Sequence, residues 1–401
     1  MPRTAPWMVM LLAALGGCAN LGYYAQAVGG HWGVLRASQP VDALLRDPAT
    51  PVPLKARLRR AGEMLRFAES EMGLDAGGSY RRFADLERSH VLWNVFAAPP
   101  FALAARQWCH PFVGCTPYRG YFSRDAARRA AQRLAGEGLE TFVGGVAAYS
   151  TLGWFDDPLL STFIDWPEAA LAELLIHETA HRRLWVANDV VLNEAFASFV
   201  GEEGARQWLA RQGRSDEFAA HRQRQAEWNR LVGLLMRAKA HLATLYGQNG
   251  AVGLGPAKAR VLDAMRACYQ ANWNRLGGGR YDRVVAGVNN AYLASLATYR
   301  DWQPAFAALY RQHSDWDAFF AAVDGLAQLG AAEREAALAA LRDQQVAEAG
   351  DHRRADEVQC EPLAGHRLNG DSAGAEHDHV RRRGHGQHEG AGGAHGGGDH
   401  Q

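Results

Sequence analysis

The pentapeptide HETAH at 177–181 constrains this chain more than any other stretch, because it sets two imidazoles four residues apart inside a segment written for a helix. Asp165, Trp166, Pro167 and Glu168 read as a helix start, and PEAALAELLIHETAHRRLW keeps apolar residues at helical spacing as far as Trp185. On that helix His177 and His181 lie one turn apart on one face, where both can reach a single metal ion. Glu178 beside them can act as base toward water on the metal's open side. Chance alone produces such a pentapeptide in on the order of a few per cent of chains this rich in histidine, so two structural histidines are the alternative.

The residues after the motif bear on that choice. Ala187, Asn188 and Asp189 suit a turn and a new N-cap, and a second helix begins at VVLNEAFASFVGEEGARQWL. A reversal there returns Glu194 toward the histidines. Two imidazoles from one arm and a carboxylate from the other make three protein ligands with a fourth position open, which is the arrangement of a catalytic zinc. Ala195 and Ala197 are small enough to let the helices approach. Glu202 and Glu203 are rivals for the ligand role, but they fall two turns further along and read as a solvated face.

The first residues, MPRTAPWMVMLLAALGGC, carry Arg3, an apolar run from Trp7 to Leu15 and then small residues, the pattern of an export signal whose apolar part is too short to span a bilayer. LGGC at 15–18 looks like a bacterial lipobox, which implies a signal peptide over 1–17, lipidation of Cys18 and, with Ala19 next, retention on the periplasmic face of the outer membrane. An uncleaved anchor or a plain signal with a stray cysteine are the other readings. In an oxidising compartment, Cys109 and Cys115 in WCHPFVGCTPYRGY are candidates for a short disulfide, the turn favoured by Pro111 and Gly114. Two buried thiols, or a weak metal site with His110, are the alternatives. Cys268 and Cys360 are expected to be unpaired.

Along the body, 41–74 reads as two helices separated by a Pro-rich turn, 90–122 as short strands, 124–137 as a helix and 141–155 as strand, turn and strand. From Pro167 to about Arg342 the pattern is helical apart from the glycines at 277–279. The expected fold is α+β, a small N-terminal sheet with an edge strand followed by a mainly helical body, as one domain over 18–350. Residues 351–401, rich in Gly and His, cannot bury a core and read as a disordered tail or as the text of a shifted reading frame. The chain is balanced at 43 basic and 43 acidic residues, and its only dense basic cluster is the RRR at 381–383 in that tail, so a nucleic-acid partner is not expected.

HETAH followed by LNEAFASF resembles the gluzincin metallopeptidases, whose second helix carries a zinc-binding glutamate in an NE dipeptide; the gap between the two motifs is shorter here. More specifically, the chain resembles a family of bacterial proteins called putative aminopeptidases. The segments that carry this likeness are YYAQAVGGH, GSYRRFADL, VLWNVFAAP, WCHPFVGCTPYRGYF, GGVAAYSTLGWFDDPLLST and VNNAYLASLATY, within about residues 20–345. The resemblance implies a zincin-like core, one Zn2+, and hydrolysis of a peptide substrate in the cell envelope.

One departure concerns the substrate's free amino end. The large zinc aminopeptidases grip it with a glutamate on an edge strand upstream of HExxH, whereas this chain has GGVAAYST at 144–151, with no carboxylate. Gly144, Gly145 and Tyr149 can instead offer an edge strand along which a peptide backbone pairs, or simply form a hairpin turn. Asp156 or Asp157 would then have to replace the missing glutamate. Tyr149, Tyr292 and Tyr299 are candidates for steadying an oxyanion, and Asn289 and Asn290 for orienting a ligand. A different class of function, an envelope lipoprotein that binds zinc without turnover, uses the same residues; retention of Glu178 speaks against it, since structural zinc needs no base. Nothing in the sequence sets an oligomeric state.

Overall fold

The computed structural model describes residues 6–110, 114–148, 156–248, 253–296, 302–349 and 360, all within one compact unit, Met1–Ala364. Helix α1 (Pro6–Ala37) opens the chain, and the boundary expected between residues 17 and 18 falls inside it. Among the described residues no helix is long and apolar enough to cross a membrane.

Strand β1 (Ser38–Pro40) leads into α2 (Val41–Arg46) and α3 (Val52–Met72), the latter ended by Gly73 in the left-handed conformation. Then come β2 (Arg82–Ala84), β3 (Leu92–Ala98), β4 (Trp108–His110), β5 (Gly114–Thr116) and β6 (Arg119–Tyr121). Helix α4 (Arg124–Gly136) starts where the Ser123 side chain accepts from the Ala126 N–H. Strands β7 (Glu140–Val146) and β8 (Leu159–Leu160) complete the sheets. Among the described residues these are three and small: β1-β2-β8, the antiparallel β6-β3-β7, and the hairpin β4-β5.

The remainder is helical: α5 (Glu168–Arg183), α6 (Val190–Arg211), α7 (Ser215–Gln248), α8 (Leu254–Ala271), a 3-10 turn (Trp273–Leu276), α9 (Asp282–Ala286), α10 (Asn290–Ser295), α11 (Gln303–His313), α12 (Trp316–Gln328) and α13 (Ala331–Ala349). The fold is thus α+β and mostly helical. The residues expected to form a second strand after β7, 149–155, lie outside the described ones.

Among the described residues three cores hold this body. The main one centres on α5, whose Leu171, Ala172, Leu175, Ile176 and Ala180 are buried against α3 and α6. It continues through α6 into α11 and α12, where Phe196 packs on Phe306 and Phe319. Aromatic side chains of this size supply much of the apolar area that a core removes from water. A second core joins α7 to α8, α9 and α10 through Leu234, Leu242, Met265 and Tyr269. The third lies between β3 and α4, around Val95 and Leu134. Cys109 and Cys115 are bonded across β4 and β5. Cys268 of α8 is bonded to Cys360, which corrects the expectation that both are unpaired; their separation of 92 residues leaves no local signal for the pairing.

Candidate metal centre

α5 is buried on most of its circumference, so its two histidines emerge from the core with little freedom. α6 crosses it at backbone contact. A Cβ at Gly201 would come within 2.7 Å of the Glu173 carbonyl oxygen and 3.0 Å of the His177 Cβ, so only glycine admits this approach. Gly204 does the same beside Ile176. Ala197 is fully buried, while Ala195 is only partly so; the closest approach therefore runs through glycines two and three turns past Glu194.

The turn between the helices is fixed by side chains. α5 ends at Arg183, earlier than its apolar pattern implies, and Leu184 is extended. Asn188 has φ 63, a conformation asparagine tolerates. Asp189 caps α6 by accepting from the Leu192 N–H, and its other oxygen accepts from the buried Arg334 of α13. Asn193, with no solvent exposure, accepts from the Val186 N–H and donates to the Val186 carbonyl, both at 2.8 Å. This clamp orients the residue that follows it, Glu194. Asn193→Ala would leave the Val186 N–H without its acceptor, while the Val186 carbonyl would keep only the Asp189 N–H, so we expect a loss of about 1–2 kcal/mol in urea unfolding. A 10–100-fold weaker hold on zinc should accompany it in chelator competition.

The structure brings His177, His181 and Glu194 together. The two Nε2 atoms are 3.1 Å apart; Glu194 Oε2 is 3.6 Å from the first and Oε1 3.6 Å from the second. Among the described residues this is the group of three His, Cys, Asp or Glu side chains whose donor atoms are close enough to share a metal ion. Donors at about 2.0–2.1 Å from a tetrahedral zinc are separated by about 3.3–3.4 Å, so the observed spacings fit that ion. Protonation fits as well. Burial, and secondarily the neighbouring His177, lower the His181 pKa to about 4 against the pull of Glu194, leaving a neutral imidazole at pH 7. Glu194 is held below the usual carboxylate range, first by the His177 ring and then by His181, despite the burial that opposes them. A neutral imidazole and a carboxylate are the forms that bind metal. The second ring nitrogen of His181 is buried and meets no acceptor among the described residues.

Other expected site residues lie elsewhere. Glu202 pairs with Arg222 and Gln303, and Glu203 with Arg206 and Gln207; both are half-buried, and neither is in the group with the histidines. The Asn290 side chain is fully buried and donates to the carbonyls of Pro99, Pro100 and Ala102, which makes it the organiser of that loop. Tyr292 packs its ring on Phe142 at 4.7 Å in the second core, and Asn289 caps α10 while donating to Thr141. Asn290 and Tyr292 thus have their observed partners at the sheet and the loop beside it. Gly144 and Gly145 sit on β7, which pairs with β3 and is the edge of its sheet; Gly145 leaves room for the His90 ring. Tyr149 and Tyr299 are outside the described residues.

A residue with no signal in the sequence stands close by. Tyr80 is buried and has φ 65, a genuine outlier for a bulky side chain. Its N–H donates to the Asp157 carbonyl at 2.7 Å. Gly77 of the same loop packs on Arg182, one turn past Glu178 on α5. Burial, then the charges of Glu178 and Asp157, push the Tyr80 phenol well above its usual range, with Arg182 opposing. The cavity of about 460 Å³ between α2, α3 and this loop includes Tyr80 but no member of the His–His–Glu group.

The family profile described as "Putative aminopeptidase" matches residues 22–338. The chain belongs to that family. Neither the curated proteins nor the solved structures contain a match. The family segment begins after Cys18 and ends before the Gly/His-rich tail, and it contains both helices that carry the His–His–Glu group, α5 and α6.

α5 is also tied to the far end of the body. Arg183 donates to both oxygens of Asp324 on α12, at 2.9 and 2.6 Å. That hydrogen bond, with the guanidinium charge, holds the Asp324 carboxyl below its usual range against slight burial. The folded state therefore prefers the charged form, so the pair's stabilisation exists above about pH 4 and is lost as pH falls through the depressed pKa. The two side chains are 32% and 44% exposed, so Asp324→Asn should cost under about 1 kcal/mol at pH 7. Its urea midpoint should converge on that of the unmodified protein below about pH 3.

Proposed function

We propose that the chain is a zinc-dependent peptidase of the gluzincin kind, working in the cell envelope and tethered by a lipid on Cys18. The observation that carries the reading is the meeting of two imidazoles and one carboxylate from crossing helices, with a second carboxylate, Glu178, adjacent in sequence to the first imidazole. His177, His181 and Glu194 would hold the metal. Bound zinc supplies a Lewis acid that makes water nucleophilic near neutral pH and polarises a carbonyl.

The chain's own groups do the rest. Glu178 takes the proton from the attacking water and passes it to the leaving amine. Tyr80, buried near enough to Glu178 and Asp157 to feel their charge, would be a hydroxyl for the oxyanion alongside Tyr292. Asp157, bonded through its carbonyl to Tyr80, would be the carboxylate that receives a free amino end, since β7 offers glycines there and no carboxylate.

The test is hydrolysis of a mixed fluorogenic peptide library by the purified protein, before and after chelation and after zinc is returned. Loss on chelation and recovery with zinc support the reading; turnover indifferent to chelation contradicts it. Faster cleavage of free than of acetylated amino ends would support the role given to Asp157.

A further inference from the structure

Two large apolar side chains stand in solvent, each a helical turn's length of chain from a member of the His–His–Glu group. Trp185 is 47% exposed, and its ring lies 6.1 Å from that of His181 at an interplanar angle of 70°. Val190, 59% exposed, opens α6 one turn before Glu194 and so shares its face. The first comes after one pair of ligands along the chain, and the second precedes the other ligand. The segment between them is pinned by the Asn193 clamp on Val186 and by the Asp189 cap.

Single exposed apolar residues are ordinary on a protein surface. These two differ in bracketing a turn whose backbone is clamped at Val186 and in lying next to the His–His–Glu group, Trp185 by ring contact with His181 and Val190 by its place on the Glu194 face of α6. A rigid apolar wall gains more from a passing apolar group than a mobile one, because less freedom is lost on contact.

We infer that Trp185 and Val190 form the shelf that selects the substrate, receiving an apolar side chain of a peptide residue next to the bond to be cut. The inference rests on the peptidase reading and deepens it, naming peptides with leucine- or phenylalanine-like side chains as the substrate class. A small or charged side chain at that position would leave the indole in water.

The experiment compares matched peptides bearing Leu, Phe, Ala or Asp at that position. With the unaltered protein, kcat/KM should favour Leu and Phe over Ala by about tenfold or more. Trp185→Ala should cut that ratio about tenfold, Val190→Ser less, and Trp185→Phe should keep most of it. Binding of the Leu and Ala peptides to zinc-loaded Glu178→Gln protein, by calorimetry, gives the same comparison without turnover. Lost discrimination in Trp185→Ala binding supports the shelf even where no protein hydrolyses peptide, an outcome that would defeat the peptidase reading alone. An unchanged ratio in both measurements, or no preference for apolar side chains in the unaltered protein, overturns the shelf.

Discussion

Glu178→Gln protein should retain one zinc per chain and lose peptide hydrolysis by a factor of about 10²–10⁴, the usual contribution of a positioned general base. The exchange keeps shape and volume while removing the proton acceptor, so folding is expected to be unaffected. Glu178 is not among the three grouped donors, which is why metal content should not follow activity down. A variant that lost zinc and activity together would place Glu178 among the ligands. One that kept activity would remove the base from the mechanism. If the unaltered protein itself shows no turnover on the library, the site is a zinc-binding one without catalysis.

His181→Ala should abolish stable zinc retention, and its effect should exceed that of Glu194→Gln. His181 is buried, with 4% of its side chain exposed, and is kept neutral by that burial, whereas Glu194 is 37% exposed and can be replaced in part by water. Changing a residue that only supports a metal ligand typically costs 10–100-fold in affinity, so removing a ligand should cost more than about 100-fold. Equilibrium dialysis with a zinc indicator measures it. The Gly/His-rich tail can bind zinc loosely, so a weak residual site common to all variants is expected from it.

The pairing of α5 with α6 is legible in the sequence because its signals are local. Apolar spacing, Pro167 ahead of the first helix, a turn-forming Asn188 and a capping Asp189 each act within a few residues. Glu194 can be placed for the same reason. The spacing does not carry the long-range partners. Asn193 is visible beside Glu194, but its clamp on Val186, seven residues back, depends on how the turn between the helices closes. Gly201 looks like any helical glycine until the crossing of α5 brings a carbonyl against it. Glu202 looks solvated in the sequence because its partners, Arg222 and Gln303, lie on other helices, whereas those of Glu203, Arg206 and Gln207, lie within α6 itself. Tyr80 comes after Gly77 and Gly78, which mark a turn, yet nothing nearby in sequence tells that the turn delivers a phenol toward α5. Asn290 and Tyr292 go the other way: chemically suitable, they are occupied by a loop and a core.

The most direct measurement is anomalous diffraction at the zinc edge from crystals of the full chain grown with one equivalent of zinc. A single strong peak within bonding distance of His177 Nε2, His181 Nε2 and a Glu194 oxygen, with one position left to solvent, is the result expected. Zinc bound elsewhere, or a peak at the histidines with Glu194 turned away and no other donor in its place, would contradict the three-ligand centre.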